Sequence, residues 1–238
     1  MGRPVRIHLP DQIYHILNRG NNRQVIFATD EDYQHYLDVI KRYKEKYGFS
    51  VFAYCLMSNH VHLLIQTTTT GNISRIMQSI TISHTRYYHY TYKSSGHVWQ
   101  GRFKSPMVSS DEYLLTVIQY IEQNPVRAGI VDQPGKYKWS SFPTNALGKN
   151  DGLTDREKNP IYLTLGNTLK EQQVCYNKIA QSLLSQEETK EIRRSLTGQG
   201  HYLSERFEAE IRKKLNARRR RPRGRPKKQG TKKARIYI

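Results

Sequence analysis

The sequence predicts an α+β fold, in which an antiparallel sheet packs with helices and is followed by further helices and a basic tail. Two observations lead to this class. Apolar residues recur with a helical period in some segments and form short runs of β-formers in others, and the two kinds alternate along the chain. The chain has 238 residues, 37% of them hydrophobic, which is enough for one large domain with a smaller attachment.

Each predicted element has its own local signal. The first long helix ends at Gly48, the Ser58-Asn59 pair joins two β-rich runs into a hairpin, and a later helix stops before Pro125. The order β-α-β-β-α-β, followed by an added helix, is typical of a ferredoxin-like (RRM-like) antiparallel sheet with its helices on one face. Strands are predicted at 14–18, 51–57, 60–66, 98–103 and 107–108, and helices at 30–47, 71–92 and 111–124.

The chain divides into three parts by composition. The sheet domain is predicted to cover residues 1–148, because the stretch 145–160 is polar and rich in Gly, Asn and Asp. A helical appendage is expected over 149–211, where apolar residues return at helical spacing. Residues 212–238 form a basic tail with few apolar residues, and we expect this tail to be disordered when free.

Basic residues dominate the composition. Lysine and arginine number 39 against 20 acidic residues, which gives a formal net charge of +19. The tail contains 14 of these basic residues and no acidic one, so the rest of the chain carries +5. This balance argues against a neutral metabolic enzyme and indicates a polyanionic partner.

Other features of the composition indicate a soluble, reducing compartment. No apolar stretch is long enough for a transmembrane helix, and the N-terminus lacks the apolar core of a secretory signal. The two cysteines, Cys55 and Cys175, cannot form a disulfide framework or a cysteine-rich zinc site. We therefore expect a cytoplasmic, nucleoid-associated protein of bacterial type, with no membrane partner.

The tail contains a short motif within its basic run. Arg223-Gly224-Arg225-Pro226 resembles an AT-hook, in which two arginines around a glycine fit the narrow minor groove of A·T-rich duplex DNA. A nonspecific polybasic arm explains the same residues equally well. Both interpretations predict nucleic-acid binding, and the first alone predicts a preference for A·T-rich duplex.

Two histidines stand two positions apart in the third predicted strand. Alternation along a strand puts the imidazoles of His60 and His62 on one face, about 7 Å apart along the strand, so that both rings can converge on one ion. Val61 and Leu63 then point the other way, into the core. Two ordinary strand histidines are the competing interpretation, which a bare His-X-His pattern favours.

A second cluster lies downstream, on the last helix of the series. Tyr120 and Asn124 are four residues apart, so they share one helix face. Tyr120 offers a nucleophilic oxygen, and Asn124 offers a neutral carbonyl oxygen for a metal. A core aromatic is the alternative for Tyr120, since the chain contains 17 tyrosines and composition does not single one out.

Several separated segments together resemble a known family. In chain order they read YHILNRGNNRQVIF, YCLMSNHVHLLI, GHVWQGRFKS, YLLTVIQYIEQNPVRAGIV and KWSSF. They resemble the single-tyrosine HUH transposases, and among these the REP-associated tyrosine transposases. The resemblance covers residues 2–148 and extends weakly to 206, where GQGHYLSERF replaces an expected Gly-Trp-Pro-Leu-Gly-like segment.

The resemblance implies a sheet of HUH type and gives each candidate residue a role. His60 and His62 become metal ligands, Tyr120 the nucleophile, and Asn124 the polar third ligand. The implied activity is cleavage and transfer of single-stranded DNA at the foot of hairpins in palindromic repeats. It leaves a 5′-phosphotyrosine link and a free 3′-OH. The oligomeric state, monomer or homodimer, stays open.

The chemistry suits a divalent cation. A free phenol has a pKa of about 10, and an anionic phosphodiester resists attack, so a cation on a non-bridging oxygen is needed to polarise the phosphate. Two imidazoles and an amide leave the charge of the cation uncancelled and leave coordination positions open, which favours Mg²⁺ or Mn²⁺ over a closed zinc site. His15 is a candidate general base, but packing within its strand explains this residue better.

Polar and basic residues near these segments are the predicted DNA contacts. The loop after the first strand is polar and basic, residues 100–104 alternate as a strand, and Arg127 follows the Asn-Pro break, where it binds phosphate or caps the helix. Solvated turns are the alternative, and the tyrosines at 87–92 are explained better as core than as base-stacking groups. The predicted contacts are Asn18, Arg19, Asn21, Asn22, Arg23, Arg102, Lys104, Arg127, Arg223 and Arg225.

Two other functions stay open on the sequence alone. A non-catalytic DNA-binding protein derived from a transposase predicts no metal-dependent cleavage and a loss of affinity on removal of 212–238. An RNA-binding protein with an RRM-like sheet needs aromatic residues on an open sheet face. This chain instead has histidines on a sheet strand.

Overall fold

The computed structural model describes residues 9–109 and 112–197, together with single helical positions at 209 and 213. Within these residues, strands and α-helices are joined by loops and short 3-10 turns. The strands are β1 Ile13–Arg19, β2 Ser50–Met57, β3 His60–Gln66 and β4 Met107–Val108. The α-helices are α1 Asp30–Tyr47, α2 Ile73–Tyr92, α3 Glu112–Glu122, α4 Asn124–Arg127, α5 Phe142–Leu147, α6 Pro160–Leu163, α7 Leu169–Gln181 and α8 Gln186–Leu196.

The four strands form one antiparallel sheet in the order β2-β3-β1-β4, which confirms the predicted fold class. β1 pairs with β3 so that His15 lies opposite Leu64 and Arg19 lies opposite His60. Directly paired residues point to the same face of an antiparallel sheet. This register therefore puts His15 and Arg19 on the face that also carries His60 and His62.

Both faces of the sheet are buried. α3 covers one face, where its residue Ile118 shares a hydrophobic cluster with Cys55 of β2 and Leu64 of β3. Leu63 and Ile65, which point to the opposite face, are also fully buried. α1 and α2 pack against each other, and their buried residues lie outside the α3 cluster. The expectation that the helices lie on one face is therefore wrong, because α3 packs on the face that carries the histidines.

α1 and α2 are joined by a buried carboxylate. Asp32 closes the capping box of α1, and its Oδ2 accepts hydrogen bonds from the backbone N–H groups of Ala28 and Thr29. The hydroxyls of Tyr87 and Tyr92 on α2 donate to the same carboxylate, at 3.0 and 2.5 Å. These two tyrosines therefore join the helices through their hydroxyls. The expectation that the tyrosines at 87–92 are core residues is wrong for Tyr90, which is 77% exposed, and Tyr92 is exposed as well.

The helices that follow α4 extend the α3 side of the domain. Tyr162 of α6, Tyr176 of α7 and Ile192 of α8 belong to the same hydrophobic cluster as α3. The chain divides into compact units at 1–204 and 205–238. The described part of the predicted appendage 149–211 thus shares the core of the sheet domain. Among the described helices, none is long and apolar enough to cross a membrane.

The segment predicted as a strand at 98–103 is irregular. It touches the sheet through isolated bridges, Gly20 with Trp99 and Leu17 with Lys104. Between these bridges Gly101 adopts a positive φ of 65°, a conformation that a glycine tolerates and that interrupts a ladder. The strand predicted at 98–103 is therefore wrong, although the segment lies beside the sheet, and the strand predicted at 107–108 is confirmed as β4.

Candidate functional site

Three histidines and one tyrosine meet on the α3 face of the sheet. The ring centroids of His60 and His62 lie 5.2 Å apart, and the ring of Tyr120 lies 5.8 Å from that of His62. The ring of His15 lies 5.1 Å from His62 and 5.9 Å from Tyr120. The structure thus brings together three of the residues singled out in the sequence, and it adds His15 of β1 to them.

A hydrogen bond fixes the tautomer of His60. Its Nδ1 lies 2.6 Å from the side-chain oxygen of Asn59, which can only accept. Asn59 is held in this orientation because its amide nitrogen donates to the carbonyl of Arg23, at 3.4 Å. His60 therefore carries its proton on Nδ1, and its Nε2 keeps a lone pair that can bind a metal.

His62 has a histidine as its partner. Its Nδ1 lies 2.9 Å from Nε2 of His15, and both side chains are buried. This bond occupies Nδ1 of His62, so Nε2 is the ring nitrogen left for a ligand. Nδ1 of His15 is buried and has no hydrogen-bond partner within the described residues.

All three imidazoles are held in the neutral form. Burial lowers the pKa of His15 to about 3, with a smaller effect from the charge of Arg127. Burial lowers the pKa of His60 to about 4, and the charge of Arg19 adds to this. The pKa of His62 is also well below its usual range, first because of burial and then because of the neighbouring histidines. Neutral imidazole is the metal-binding form, so these nitrogens are available at neutral pH.

The helix that carries Tyr120 ends earlier than predicted. α3 ends at Glu122, and Asn124 begins the separate short helix α4, so a continuous helix over 111–124 is wrong. The reason is Pro125, which has no N–H to donate to the carbonyl of Ile121. The amide nitrogen of Asn124 donates instead to the carbonyls of Tyr120 and Ile121, at 3.2 and 3.3 Å.

Asn124 and Tyr120 are therefore coupled, although not through a continuous helix. Because the Nδ2 group of Asn124 is occupied by helix carbonyls, its Oδ1 is the end left to face a ligand. The side-chain hydrogen bonds of Asn124 within the described residues run to the Tyr120 turn. Its position at the metal stays a prediction.

Arg127 supports the tyrosine from two sides. Its Nη2 donates to the carbonyl of Tyr120 at 2.6 Å, and its guanidinium carbon lies 4.1 Å from the centroid of the Tyr120 ring. This is the geometry of a cation–π contact. Nη1 of Arg127 is buried without a hydrogen-bond partner among the described residues. The side chain thus packs inside the site, beneath the phenol.

The donor set at this site fits a divalent cation. His60 and His62 offer neutral ring nitrogens, each with its other nitrogen occupied by a neighbouring side chain, as is usual for metal-binding histidines. Asn124 offers a neutral oxygen. The described residues contain no group of three or more His, Cys, Asp and Glu side chains suited to a metal. Besides the two imidazoles, the amide oxygen of Asn124 is the third group expected from the sequence, and its role as a ligand stays a prediction.

The predicted DNA contacts fall into different environments. Asn18 lies in β1 and is buried, so the predicted polar loop is shorter than expected and begins after Arg19. Arg19 is exposed at the end of β1, and its Nε donates to Oε1 of Gln100 at 2.7 Å. Arg223 and Arg225 lie outside the described residues. The other exposed members are Asn21, Asn22, Arg23, Arg102 and Lys104.

Two residues that support the site were not singled out in the sequence. The Ser58-Asn59 pair predicts a turn, and nothing in it indicates that the side-chain amide of Asn59 contacts the imidazole of His60. Glu122 was not considered, although a carboxylate on the apolar face of a helix is a usable signal. It is fully buried and accepts hydrogen bonds from Ser141 and Asn145 at 2.6 and 2.8 Å, and from the hydroxyl of Tyr176.

Comparison with known proteins assigns this arrangement to a class. Residues 9–124 match the family model described as "Transposase IS200 like". That range begins four residues before β1, ends at Asn124, and includes all the candidate metal ligands and Tyr120. This part of the chain is therefore similar to the IS200-like transposases.

Individual relatives narrow the class. A curated protein of Haemophilus influenzae named "Putative REP-associated tyrosine transposase" is 29% identical to this chain over an alignment of 109 residues. The match covers 41% of this chain. The chain spans 61% of the length of that relative. A solved structure of a REP-associated tyrosine transposase bound to a REP hairpin superposes on this chain with a TM-score of 0.54 and 20% sequence identity. The superposition covers 64% of this chain and 88% of the chain in that structure. It shows a shared fold. The resemblance to the REP-associated tyrosine transposases is therefore confirmed.

Proposed function

We propose that this protein cleaves and rejoins single-stranded DNA beside a hairpin, through a covalent link between Tyr120 and a 5′-phosphate. One observation carries the proposal. The Tyr120 ring lies 5.8 Å from His62, which stands with His60 as a pair of neutral imidazoles on one face of the sheet. A phenol beside a candidate metal site suits nucleophilic attack on a phosphodiester.

His60, His62 and Asn124 would hold the cation, Mg²⁺ or Mn²⁺, which supplies polarisation of a non-bridging phosphate oxygen when bound. Oη of Tyr120 attacks the phosphorus, so that a new P–O bond forms while the bond to the 3′ oxygen breaks. The phenol releases its proton to solvent, and the 3′ oxygen takes one up to become a free 3′-OH. Because the link conserves the energy of the phosphodiester, another 3′-OH can reverse the step and join a strand.

The residues around Tyr120 orient the phenol for this attack. Asn124 and Arg127 both donate to the backbone carbonyl of Tyr120, and Arg127 also lies against the ring. These contacts restrict the rotation of the tyrosine on α3. A nucleophile held close to its attack position gains rate because less orientational freedom is lost in the transition state.

Exposed basic and amide residues beside His60 would hold the DNA. Arg19 lies opposite His60 in the sheet and is bonded to Gln100, and the loop Asn21–Arg23 follows directly. Such contacts to phosphates position a strand without reading its sequence. A hairpin partner is proposed because the structural relative is described with a bound REP hairpin. Within the described residues α3 covers the sheet face that an RRM-like protein would use for stacking RNA bases, which favours DNA.

The test is formation of a covalent adduct. The full chain is incubated with a single-stranded oligonucleotide that contains a hairpin, with Mn²⁺, and the products are separated on a denaturing gel. We expect a DNA-linked protein band for the wild type and none for Tyr120→Phe, because phenylalanine lacks the attacking oxygen. Hairpin binding by Tyr120→Phe, measured by fluorescence anisotropy, is expected to stay within about twofold of the wild type, because the Phe ring keeps the packing.

Tyr43→Phe is the matched control. Tyr43 is a partly buried tyrosine whose hydroxyl bonds to Ser83 at 2.9 Å, between α1 and α2. We expect this variant to form the adduct at the wild-type level. An adduct that persists in Tyr120→Phe assigns the nucleophile to another residue, and a wild type that binds the hairpin but never forms an adduct supports a non-catalytic DNA-binding protein instead.

A further inference from the structure

We infer that His15 is a positioning residue for the metal site, and that its imidazole holds His62 so that Nε2 of His62 faces the cation. The inference rests on the proposed function and extends it to His15, to which the family resemblance gives no role. His15 acts through His62, since its own Nε2 is occupied by the bond between the two rings.

The side chain of His15 makes one hydrogen bond within the described residues, and that bond is to His62. Its Nε2 lies 2.9 Å from Nδ1 of His62, with the ring centroids 5.1 Å apart and the ring planes tilted by 34°. Its other nitrogen, Nδ1, is buried without a partner in the described part of the chain. A buried polar atom without a partner costs about 1–3 kcal/mol. An apolar side chain would avoid that cost, so packing alone does not explain a histidine at this position.

Metal binding decides which nitrogen carries the proton. When Nε2 of His62 binds a cation, its Nδ1 must hold the hydrogen, and that hydrogen points to Nε2 of His15 as acceptor. The reverse arrangement, with His15 as donor, puts the proton of His62 on Nε2 and blocks that nitrogen. His15 therefore favours the metal-binding form when it accepts, as Asn59 does for His60.

The partner of His62 differs in charge from the usual choice. Metal-binding histidines often donate to a carboxylate, which adds negative charge near the cation. His15 and Asn59 instead offer an imidazole nitrogen and an amide oxygen, neither of which is a carboxylate. The orienting bonds therefore leave the positive charge of the cation available to a phosphate, in the same way as the neutral ligands do.

The experiment measures binding of Mn²⁺ alone to the full chain, by the loss of the free-ion signal in electron paramagnetic resonance at pH 7.5. His15→Phe keeps an aromatic ring but removes the acceptor, and we expect its affinity for Mn²⁺ to fall by about 10- to 100-fold. His15→Gln places an amide oxygen where Nε2 stood, and we expect it to recover most of the affinity. His84→Phe, which replaces another fully buried histidine on α2, is expected to bind as the wild type does.

The outcomes separate this inference from the proposed function. A wild type that binds no Mn²⁺ refutes the metal site itself. A wild type that binds, together with a folded His15→Phe that binds equally well, refutes the role of His15 alone. If His15→Phe does not fold, nitrogen-15 NMR of the wild type with saturating Mg²⁺ decides: a proton on Nδ1 of His62 supports the inference, and a proton on its Nε2 overturns it. Equal losses in the Phe and Gln variants also overturn it, because the bond would then not be the cause.

Discussion

At the scale of single residues, the site depends on how the second polar atom of each functional side chain is occupied. Asn59 holds His60, His15 holds His62, and the amide of Asn124 is fixed by the carbonyls of the Tyr120 turn. In each case the remaining atom is the one that would bind the cation in the proposed function. Orientation therefore comes from neighbours that do not touch the substrate, and changes at these neighbours should alter rates and metal binding more than DNA affinity.

Arg127 provides a test of orientation at the tyrosine. Arg127→Met keeps most of the volume but removes both the bond to the Tyr120 carbonyl and the charge against the ring. We expect the rate of adduct formation to fall about 10- to 100-fold, since a charge-assisted hydrogen bond and a cation–π contact together contribute about 2–3 kcal/mol. Single-turnover kinetics at saturating hairpin DNA measure this rate.

Arg42→Met is the control for that measurement, since Arg42 is an exposed arginine on α1. Its rate is expected to match the wild type. If Arg127→Met reacts at the wild-type rate but binds the hairpin more weakly, Arg127 is a DNA contact as first predicted, and its support of Tyr120 has no catalytic effect.

Contacts between residues close in sequence could be predicted at this site, whereas contacts between residues far apart in sequence could not. The His60 and His62 pair could be predicted because two positions along one strand share a face. Tyr120 and Asn124 were placed near each other by their spacing, although the proline break between their helices changed the reason. The bond from His15 to His62 could not be predicted, because it joins residues 47 positions apart and depends on the register of β1 with β3.

At the scale of elements, the helix that carries Tyr120 is fixed to its surroundings by a buried carboxylate. Glu122 of α3 accepts hydrogen bonds from Ser141, from Asn145 of α5 and from Tyr176 of α7. Burial raises the pKa of Glu122 to about 7, while these hydrogen bonds act in the opposite direction. The position of Tyr120 along the sheet is thus set in part by helices that follow it in the chain.

Replacing Glu122 should weaken the whole domain. Glu122→Leu removes the acceptor of the Tyr176 hydroxyl and also the bonds from Ser141 and Asn145, which keep backbone carbonyls as other acceptors. The free energy of unfolding is therefore expected to fall by about 2–4 kcal/mol. Glu122→Gln, which keeps an acceptor, is expected to lose less than half of that. Urea unfolding followed by circular dichroism measures both.

The comparison for these variants is Glu45→Leu on the exposed side of α1. A change at an exposed position is expected to stay within about 0.5 kcal/mol of the wild type. If Glu122→Leu is as stable as Glu45→Leu, the hydrogen bonds of Glu122 do not stabilise the domain and do not anchor α3.

At the scale of the whole molecule, the order of elements was predictable and their assembly was only partly so. Helical and strand periods identify α1, β2 and β3 almost to the residue. They do not tell which sheet face a helix covers, because the apolar side of α3 fits either face. The inclusion of α6 to α8 in the same core was likewise hidden, since the polar stretch at 145–160 looks like a boundary although Tyr162 and Tyr176 pack beyond it.

The buried neutral histidines predict sensitivity to acid. Burial lowers the pKa of His84 to about 4, with the bond to the carbonyl of Ile26 and the charge of Asp32 opposing and His35 assisting the shift. In the unfolded chain this histidine takes up a proton near pH 6.5, whereas the native state does so only near pH 4. Its contribution to stability is therefore present above pH 6.5 and is lost as the pH falls towards 4.

We expect the wild type to lose about 3 kcal/mol more unfolding free energy than His84→Phe between pH 7 and pH 4. Urea unfolding at both pH values measures the difference. Parallel losses in the two proteins would mean that His84 is protonated in the native state at a normal pKa.

The basic tail should dominate the salt dependence of DNA binding. Removing residues 212–238 eliminates 14 positive charges. If half of them contact single-stranded DNA, the slope of log affinity against log salt becomes less steep by about 5 on truncation. Anisotropy titrations with the hairpin at several KCl concentrations give both slopes. If an A·T-rich duplex competes with the hairpin for the full chain but not for the truncated chain, the AT-hook interpretation is supported. Identical slopes for the two proteins would mean that the tail does not contribute to binding.

The bond between His15 and His62 joins the first strand of the sheet to the third. A shift of one residue between these strands would turn His15 to the opposite side of the sheet and separate the two rings. A cation bound at His62 therefore discriminates between correctly aligned and misaligned sheets, and by mass action it favours the aligned one. If the proposed site binds the metal, refolding in its presence should yield a larger fraction of native protein than refolding with a chelator.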